Sequence, residues 1–309
     1  MSATGGEIVT SPGLLTAIAS AIAYALSYVC LRKGQADSSP PDSGLLPVLV
    51  TSLLLLMVLL PVGLASHRAL GFPTRGRALG FACLSGAVST YLGRRLLYLA
   101  VQRLGAVRGV VLKGLSPVAT VILAYAFLGD PVSWRVTASL VGVLGAIVLL
   151  VLENRARPTR DRAVFSSGAF IGISAAGLQG VGHVFRRISL ASGASPMGSA
   201  FIDVAVATLA CVASFAVEGK LGLLLRHYRN HLSPWLLAAG ASSAAGVLLF
   251  FVSASLIPIS TVATLAASEP VFVALLSWIL VPHLERPSLY SASAACLVGF
   301  ATMMLSHTP

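Results

Sequence analysis

The sequence predicts an all-α, polytopic membrane protein with ten transmembrane helices arranged as two inverted five-helix repeats. Three observations predict this fold: the apolar composition, the number of long apolar runs, and an internal duplication. The 309 residues are 56% hydrophobic and only 10% charged, and their mean hydropathy is +0.89. A soluble core cannot bury this much apolar surface, so the composition excludes the soluble globular classes.

The long apolar runs locate the helices. A helix needs about 20 apolar residues to cross a bilayer, and ten runs of suitable length can be drawn along the chain. In chain order they cover residues 13–32, 45–66, 78–100, 107–128, 133–152, 167–190, 197–217, 233–255, 261–282 and 287–306. No basic region precedes the first run, so we interpret that run as a retained helix and not as a cleaved signal peptide.

An internal duplication relates the two halves. The stretch from Ala100 to Gly142 returns as a degenerate copy in the second half. In each copy an apolar helix contains a proline, Pro117 or Pro270, and is followed by a polar break that holds an acid. A proline inside a helix removes one backbone hydrogen bond, so we expect both helices to bend there. The duplication also places Ser116 opposite Glu269.

The number of helices in each copy determines how the copies are related. Five is an odd number, so the second copy must enter the membrane from the opposite side, which gives two inverted repeats. We place the first repeat at residues 1–155 and the second at residues 156–309, with a basic linker at 153–162. Inverted repeats are typical of secondary transporters.

These features resemble the drug/metabolite transporter superfamily, EamA branch, over nearly the whole chain. The residues that carry the resemblance are Ala100, Ser116-Pro117-Val118, Leu128-Gly129-Asp130 and Gly142 in the first half, and Ala254, Ser268-Glu269-Pro270-Val271 and Gly299 in the second. The loop acid departs from the family pattern, in which it is usually Glu. The first half has Asp130, and the second has Pro282-His283 with Glu285 two residues later.

The resemblance implies a basket of helices one, three, four, six, eight and nine around a central cavity, with helices five and ten as outer supports. It implies transport of small metabolites, including amino acids, often as export. It also implies an inner or plasma membrane location with both termini in the cytoplasm.

The basic loop residues argue against that orientation. It leaves seven of them outside and four inside: Arg155, Arg157, Arg160, Arg162, Lys220, Arg226 and Arg229 against Arg68, Arg75, Arg77 and Arg135. The positive-inside rule favours the opposite orientation. The formal charge of +11 does not indicate nucleic-acid binding, because the basic residues lie in membrane loops and helices and not on a soluble face.

Cationic side chains inside helices three, four and six are the strongest indication of a site. They are Arg94, Arg95, Arg108, Lys113, Arg186 and Arg187, against only two obvious intramembrane acids, Asp203 and Glu269. A charge at the bilayer centre costs about 2.5 to 3.5 kcal/mol on insertion scales, so such groups normally face a cavity, a partner or an interface. For Arg186 and Arg187, near a helix end, we expect the side chains to reach the headgroups.

We predict that Arg95 and Lys113 hold the negative end of a substrate and that Glu269 receives its amine or a coupling proton. The alternative for Glu269 is a structural salt bridge to Lys113 or Arg95. The further candidates for substrate binding are Arg94, Arg108, His183, Gln179 and Tyr24. Histidine can change its charge near neutral pH, and a tyrosine can stack on a substrate.

The sequence thus predicts a secondary transporter that moves a small polar metabolite, an amino acid or related organic anion, by alternating access in the lipid bilayer. The alternative is a flippase for a phosphorylated lipid carrier. No Walker loop, zinc-ligand cluster or nucleophile elbow stands out, so we expect neither an enzyme with catalytic residues nor a metal or cofactor. We expect a monomer, since the duplication supplies both inverted halves within one chain.

Overall fold

The computed structural model describes residues 11–65, 76–128, 134–155, 159–284 and 288–306. Within these ranges the chain forms fourteen α-helices and one π-helical segment, with no strand. They are α1 (Ser11–Ser38), α2 (Leu45–Ala65), α3 (Gly76–Ser85), the π segment (Gly86–Gly93), α4 (Arg94–Leu104), α5 (Ala106–Lys113), α6 (Ser116–Leu128), α7 (Trp134–Arg155), α8 (Thr159–Ala191), α9 (Pro196–Val217), α10 (Leu221–His231), α11 (Pro234–Leu256), α12 (Ile259–Ala266), α13 (Glu269–Leu280) and α14 (Leu289–Ser306).

The predicted all-α membrane fold is confirmed, because each of the ten apolar runs forms one or more helices where the structure describes it. Among the described residues, six helical spans have both the length and the hydropathy to cross a membrane, and shorter apolar helices cover Leu45–Pro61 and Leu140–Leu150. Two predictions need correction. The linker at 153–162 is partly helical, since α7 ends at Arg155 and α8 begins at Thr159. The connection after α9 contains α10, a short amphipathic helix that the search for long apolar runs missed.

The two proline-containing helices are interrupted rather than bent. The breaks lie at Gly114–Leu115, between α5 and α6, and at Ala267–Ser268, between α12 and α13. Because proline has no N–H, it cannot bond to the carbonyl four residues before it, and the preceding turn is released. In each repeat the proline falls in the first turn of the new helix, where a missing N–H costs nothing. Both repeats therefore place helix ends in the middle of the bundle.

The helices pack in pairs that follow the duplication. The first helix of each repeat packs on the third span of the other: α1 lies along α11, and α8 lies along α3, the π segment and α4. The second helices, α2 and α9, contact each other, as do the fifth helices, α7 and α14. The pairing of the halves leaves α1, α8 and the interrupted helices at the centre.

Buried serines join the two halves. Five of them donate a hydrogen bond of 2.8 Å to a backbone carbonyl of the opposite half: Ser20 to Gly246, Ser27 to Ala239, Ser52 to Gly240, Ser189 to Ala78 and Ser253 to Gly13. Helices in lipid gain little from the hydrophobic effect between them, so close packing and such hydrogen bonds stabilise the contacts.

Helix α8 and the π segment approach each other very closely at Gly182. A Cβ at Gly182 would lie 2.1 Å from the Cβ of Ser89, which is far inside contact distance. Gly177, on the same helix, has nothing within 4 Å of its Cβ position. Glycine at 182 is therefore required by packing, whereas glycine at 177 is not.

We expect Gly182→Ala to lower the free energy of unfolding by at least about 1 to 3 kcal/mol, the usual range for overpacking. Gly177→Ala should be neutral or stabilising by up to about 1 kcal/mol, because alanine favours a helix. Thermal unfolding of the two purified variants in detergent checks this. Equal melting temperatures would contradict the close contact of α8 with the π segment.

Candidate substrate cavity

A cavity lies between the two repeats at the level of the helix breaks. Polar and aromatic side chains from both repeats line it: Tyr24, Tyr28, Ser89, Arg94, Lys113 and Ser116 from the first, and Gln179, His183, Arg186, Phe250 and Glu269 from the second. Its free volume of about 20 Å³ leaves room for roughly one water molecule. The side chains themselves fill most of the space in this conformation.

Lys113 and Glu269 form a buried ion pair across the cavity. Lys113 ends α5 and Glu269 begins α13, and the two residues are 7% and 1% exposed. A cation at a helix C-terminus and an anion at a helix N-terminus are each stabilised by the helix dipole. Lys113 Nζ also donates to the Tyr28 hydroxyl at 3.0 Å. Of the two salt bridges that the sequence allowed for Glu269, the structure has the one to Lys113.

The ion pair leaves one oxygen of the carboxylate without a partner. Glu269 Oε1 is buried and accepts no hydrogen bond from the described residues. The side-chain amide nitrogen of Gln179, on the cavity wall, likewise has no hydrogen-bond partner among them. A buried polar atom without a partner costs about 1 to 3 kcal/mol, so both atoms favour a polar group entering the cavity.

Arg94 is a buried cation with neutral partners. It is 5% exposed, its Nη1 donates to Ser243 Oγ at 2.7 Å, and its Nη2 donates to the Tyr24 hydroxyl at 3.3 Å. None of the ion pairs found among the described residues includes Arg94. Hydroxyl groups satisfy its N–H donors but leave its charge uncompensated. The positive charge of Arg94 is therefore available to an anion in the cavity.

Arg186 lies on the cavity wall and also contacts an acid behind it. It is 3% exposed, and its Nη2 lies 3.3 Å from Asp203 Oδ2 and 2.8 Å from Thr90 Oγ1. The expectation that Arg186 reaches the headgroups is wrong. Because α8 continues to Ala191, Arg186 lies within the bundle and not at the helix end.

The π segment brings two hydroxyl groups to Asp203. Ser85 Oγ and Thr90 Oγ1 both donate to its carboxylate, the latter at 2.5 Å. In an α-helix, residues five apart would lie about 140° apart around the axis. A π-helix bonds residue i to i+5 and so brings such residues to the same side. Sequence reasoning missed this site, because periodicity did not distinguish the π segment from the α-helices that flank it.

His183 and Gln179, two of the further candidates for substrate binding, lie one turn apart on α8, and both line the cavity. His183 Nδ1 lies 3.1 Å from Thr120 Oγ1, and its ring packs against Phe250 with 4.7 Å between centroids. Tyr24 stacks on Tyr28 beside them, with 6.1 Å between ring centroids.

Two predicted site residues lie elsewhere. Arg95 does not meet Lys113 or Glu269. Its side chain is 38% exposed, donates to the Tyr91 hydroxyl at 2.9 Å and lies 3.5 Å from Glu218. Arg108 pairs with Glu153, with 2.6 Å between Nη2 and Oε1. Arg94 and Arg95 are consecutive in the helix, and the structure places only Arg94 in the cavity.

Arg95 lies instead in a second, open cavity of about 270 Å³, at the end of the bundle where α10 packs. Glu218, between α9 and α10, lies there with Lys220, which donates to it at 2.9 Å. This hydrogen bond, together with the positive charges of Lys220 and Arg95, holds the pKa of Glu218 below its usual range. The two cations there are balanced by Glu218 and Asp42.

Comparison with known proteins supports the two-repeat architecture. The model of the EamA-like transporter family matches twice, at residues 11–152 and 166–307. The chain belongs to the EamA-like transporter family. It is therefore a multi-pass membrane transporter of the drug/metabolite transporter superfamily.

Individual relatives of this EamA-family transporter add less. An uncharacterized protein of Pseudomonas aeruginosa is 31% identical over 152 residues, which is 49% of this chain and 50% of that protein. The match thus spans only half the length of the curated relative. A crystal structure of a protein that is 16% identical aligns with 94% of this chain and 97% of its own, with a TM-score of 0.63. At that identity the likeness concerns the fold alone.

We expect Lys113→Met to destabilise the protein by about 3 to 5 kcal/mol, because it leaves the Glu269 carboxylate buried without its counter-ion. The double variant Lys113→Met with Glu269→Gln should recover most of the loss, since it removes both charges. Thermal unfolding of the single and double variants measures the difference. As a matched control at an exposed pair, Arg95→Gln should cost less than about 1 kcal/mol. Equal losses in the single and double variants would contradict the pairing.

Proposed function

We propose that this EamA-family transporter moves a small zwitterionic metabolite, an amino acid or a related compound with both an amine and a carboxylate, by alternating access, with the central cavity as its binding site. The observation that carries the proposal is a buried cation, Arg94, that forms no ion pair within the described part of the chain and shares a cavity with Glu269 Oε1, which has no hydrogen-bond partner there. A zwitterion offers one charge to each group.

The charges around the cavity favour a substrate with a negative end. Arg94, Lys113 and Arg186 line it, against the acids Glu269 and Asp203, so one positive charge is in excess. The N-terminus of α6 at Ser116 also lies on the cavity wall. A helix N-terminus carries a partial positive charge, and it has no acid in its first turn here, in contrast to α13. We assign the substrate carboxylate to Arg94, Lys113 and this helix end.

The ion pair can accept a zwitterion without leaving any charge unpaired. A carboxylate that displaces Glu269 from Lys113 gives the lysine a new anion, and an ammonium group beside Glu269 gives the carboxylate a new cation. Each buried charge exchanges one partner for another, so the large cost of an isolated ion is avoided. A simple anion would free Glu269 from Lys113 with nothing to replace it.

Alternating access follows from the location of the site. Both repeats contribute to the cavity wall, and the residual volume of about 20 Å³ is far smaller than an amino acid. Entry of substrate requires the repeats to separate on one side of the membrane, and release requires separation on the other. We propose export as the direction, in an inner or plasma membrane, with both termini in the cytoplasm.

We expect the common amino acids, tested one at a time on purified protein, to include at least one that raises the melting temperature, since a ligand of the folded state stabilises it by mass action. Arg94→Gln should abolish that shift, because the carboxylate loses its unpaired cation. Arg95→Gln, one residue further along the helix, should leave the shift unchanged. If Arg95→Gln abolished the shift and Arg94→Gln left it unchanged, Arg95 and not Arg94 would bind the carboxylate.

Analogues of the stabilising amino acid test each end of the zwitterion. The analogue without the amine should bind at least tenfold more weakly, since Glu269 then stays buried without a cation. The analogue without the carboxylate should also fail. Stabilisation by phosphorylated lipids, with none by amino acids, would contradict the proposal and favour the flippase.

The orientation is tested by fusions to the C-terminus in a bacterial host. With cytoplasmic termini, a fluorescent protein fused after residue 309 should fluoresce, and alkaline phosphatase fused there should be inactive, because it needs the oxidising exterior for its disulfides. The reverse pattern would mean that the basic residues around α10 determine the topology, as the positive-inside rule favours.

A further inference from the structure

We infer that Asp203 is a proton-binding site coupled to the central cavity through Arg186. An anionic group in the cavity attracts the Arg186 guanidinium away from Asp203, and Asp203 then takes up one proton. The inference rests on the proposed function, since it requires a substrate carboxylate in the cavity. Neither the family match nor the sequence prediction assigns this role to Asp203.

Arg186 faces both sites. It lines the cavity, and its guanidinium lies over the rings of Phe250 and Phe251, with 5.2 Å from Cζ to each centroid. Its contacts with Asp203 are long, 3.3 Å from Nη2 and 3.4 Å from Nε, whereas its bond to Thr90 is 2.8 Å. The contacts with the acid are longer than the bond to Thr90, and in the proposed coupling a movement of the guanidinium toward the cavity lengthens them further.

Asp203 is built to exist in both protonation states. It is 0% exposed, so an ionised carboxylate there needs a counter-ion, and without one it neutralises itself by binding a proton. Its nearest partners are the hydroxyl groups of Ser85 and Thr90. A hydroxyl can donate to a carboxylate and accept from a carboxylic acid. The same two groups therefore serve the charged and the neutral side chain.

Other ionisable groups lie on the elements that pack against α9. Arg94 and Tyr24 lie within electrostatic range of Asp203. Helices α2 and α11 contain no ionisable residue. The remaining neighbours contribute His183 and Arg187 from α8, Tyr91 from the π segment, Arg77 and Cys83 from α3, and Arg226, His227, Tyr228, Arg229 and His231 from α10. A substrate carboxylate also occupies Arg94. Arg94 and Arg186 are then both engaged with the substrate.

Binding and release of the substrate move one proton onto and off Asp203. When the substrate binds, one proton passes from water to the Asp203 carboxylate. When the substrate leaves, Arg186 returns and the proton is released on the side to which the cavity is then open. One proton therefore moves with each substrate in the same direction, so export runs down the gradient of the substrate and carries one proton outward.

The test uses purified full-length protein in weak buffer with a pH-sensitive dye and a mixture of the common amino acids as the probe. The wild type should take up about one proton per protein on addition of the mixture, and the melting temperature of the same sample reports binding separately. Asp203→Asn and Arg186→Gln should each abolish the uptake. Glu153→Gln is the matched control, because Glu153 is a buried acid paired with Arg108 outside the cavity, and it should keep the full uptake.

The outcomes separate the two proposals. Binding by the wild type without proton uptake overturns the coupling and leaves the proposed function intact, whereas absence of binding overturns both. Uptake that persists in Asp203→Asn assigns the proton to another group and overturns the role of Asp203. If Asp203→Asn does not fold, infrared spectra of the wild type decide: the amino acid mixture should produce the band of a protonated carboxylic acid, and its absence overturns the inference.

Discussion

The ion pair between Lys113 and Glu269 is the interaction on which the centre of this protein depends. Each residue occupies the end of an interrupted helix, and the two helices come from opposite repeats. In a bilayer a single buried charge costs several kcal/mol, so each residue lowers the free-energy cost of burying the charge of the other. The prolines Pro117 and Pro270 create the helix ends, and the ends carry dipoles that suit the two charges. The helix breaks, the two charges and the contact between the repeats therefore depend on one another.

The two repeats have the same backbone arrangement but carry different side chains at corresponding positions. Where the second half places Glu269 at the start of α13, the first half places Ser116 at the start of α6. One helix end is thus already occupied by an acid, and the other is free to attract one. The arginines add to the difference, because Arg94 comes from the first half and Arg186 from the second, and neither has a counterpart in the cavity from the other repeat. A symmetric scaffold in this way holds an asymmetric set of charges, which suits a substrate with unlike ends.

Arg94 and Arg95 illustrate how narrowly the site is determined. They are adjacent in sequence, yet Arg94 is 5% exposed in the central cavity and Arg95 contacts Glu218 near the end of the bundle. The π segment ends at Gly93, immediately before them. An extra residue in a turn rotates everything after it by about 100° around the helix axis. The sequence made both arginines candidates and favoured Arg95 because it lies several residues inside its apolar run. Only the structure shows that Arg94 is the one in the cavity. The sequence also named Arg186 and Asp203 as intramembrane charges, but not their contact, because the π segment aligns their partners Ser85 and Thr90.

The sequence by itself determined the class of the protein, the ten helical runs, the duplication and the residues that mark the family, because apolar length and repeated motifs are local properties of the chain. It also identified Lys113, Glu269, Gln179, His183 and Tyr24, which meet at the cavity, since a polar side chain deep in an apolar run requires a place away from lipid. Only the tertiary structure decided which cations face that cavity and which acids they meet. The direction of a side chain depends on helix breaks, on the π segment and on packing such as Gly182 against Ser89. The prolines mark the helix breaks in the sequence, but the π segment and the packing between the repeats have no local pattern that specifies them.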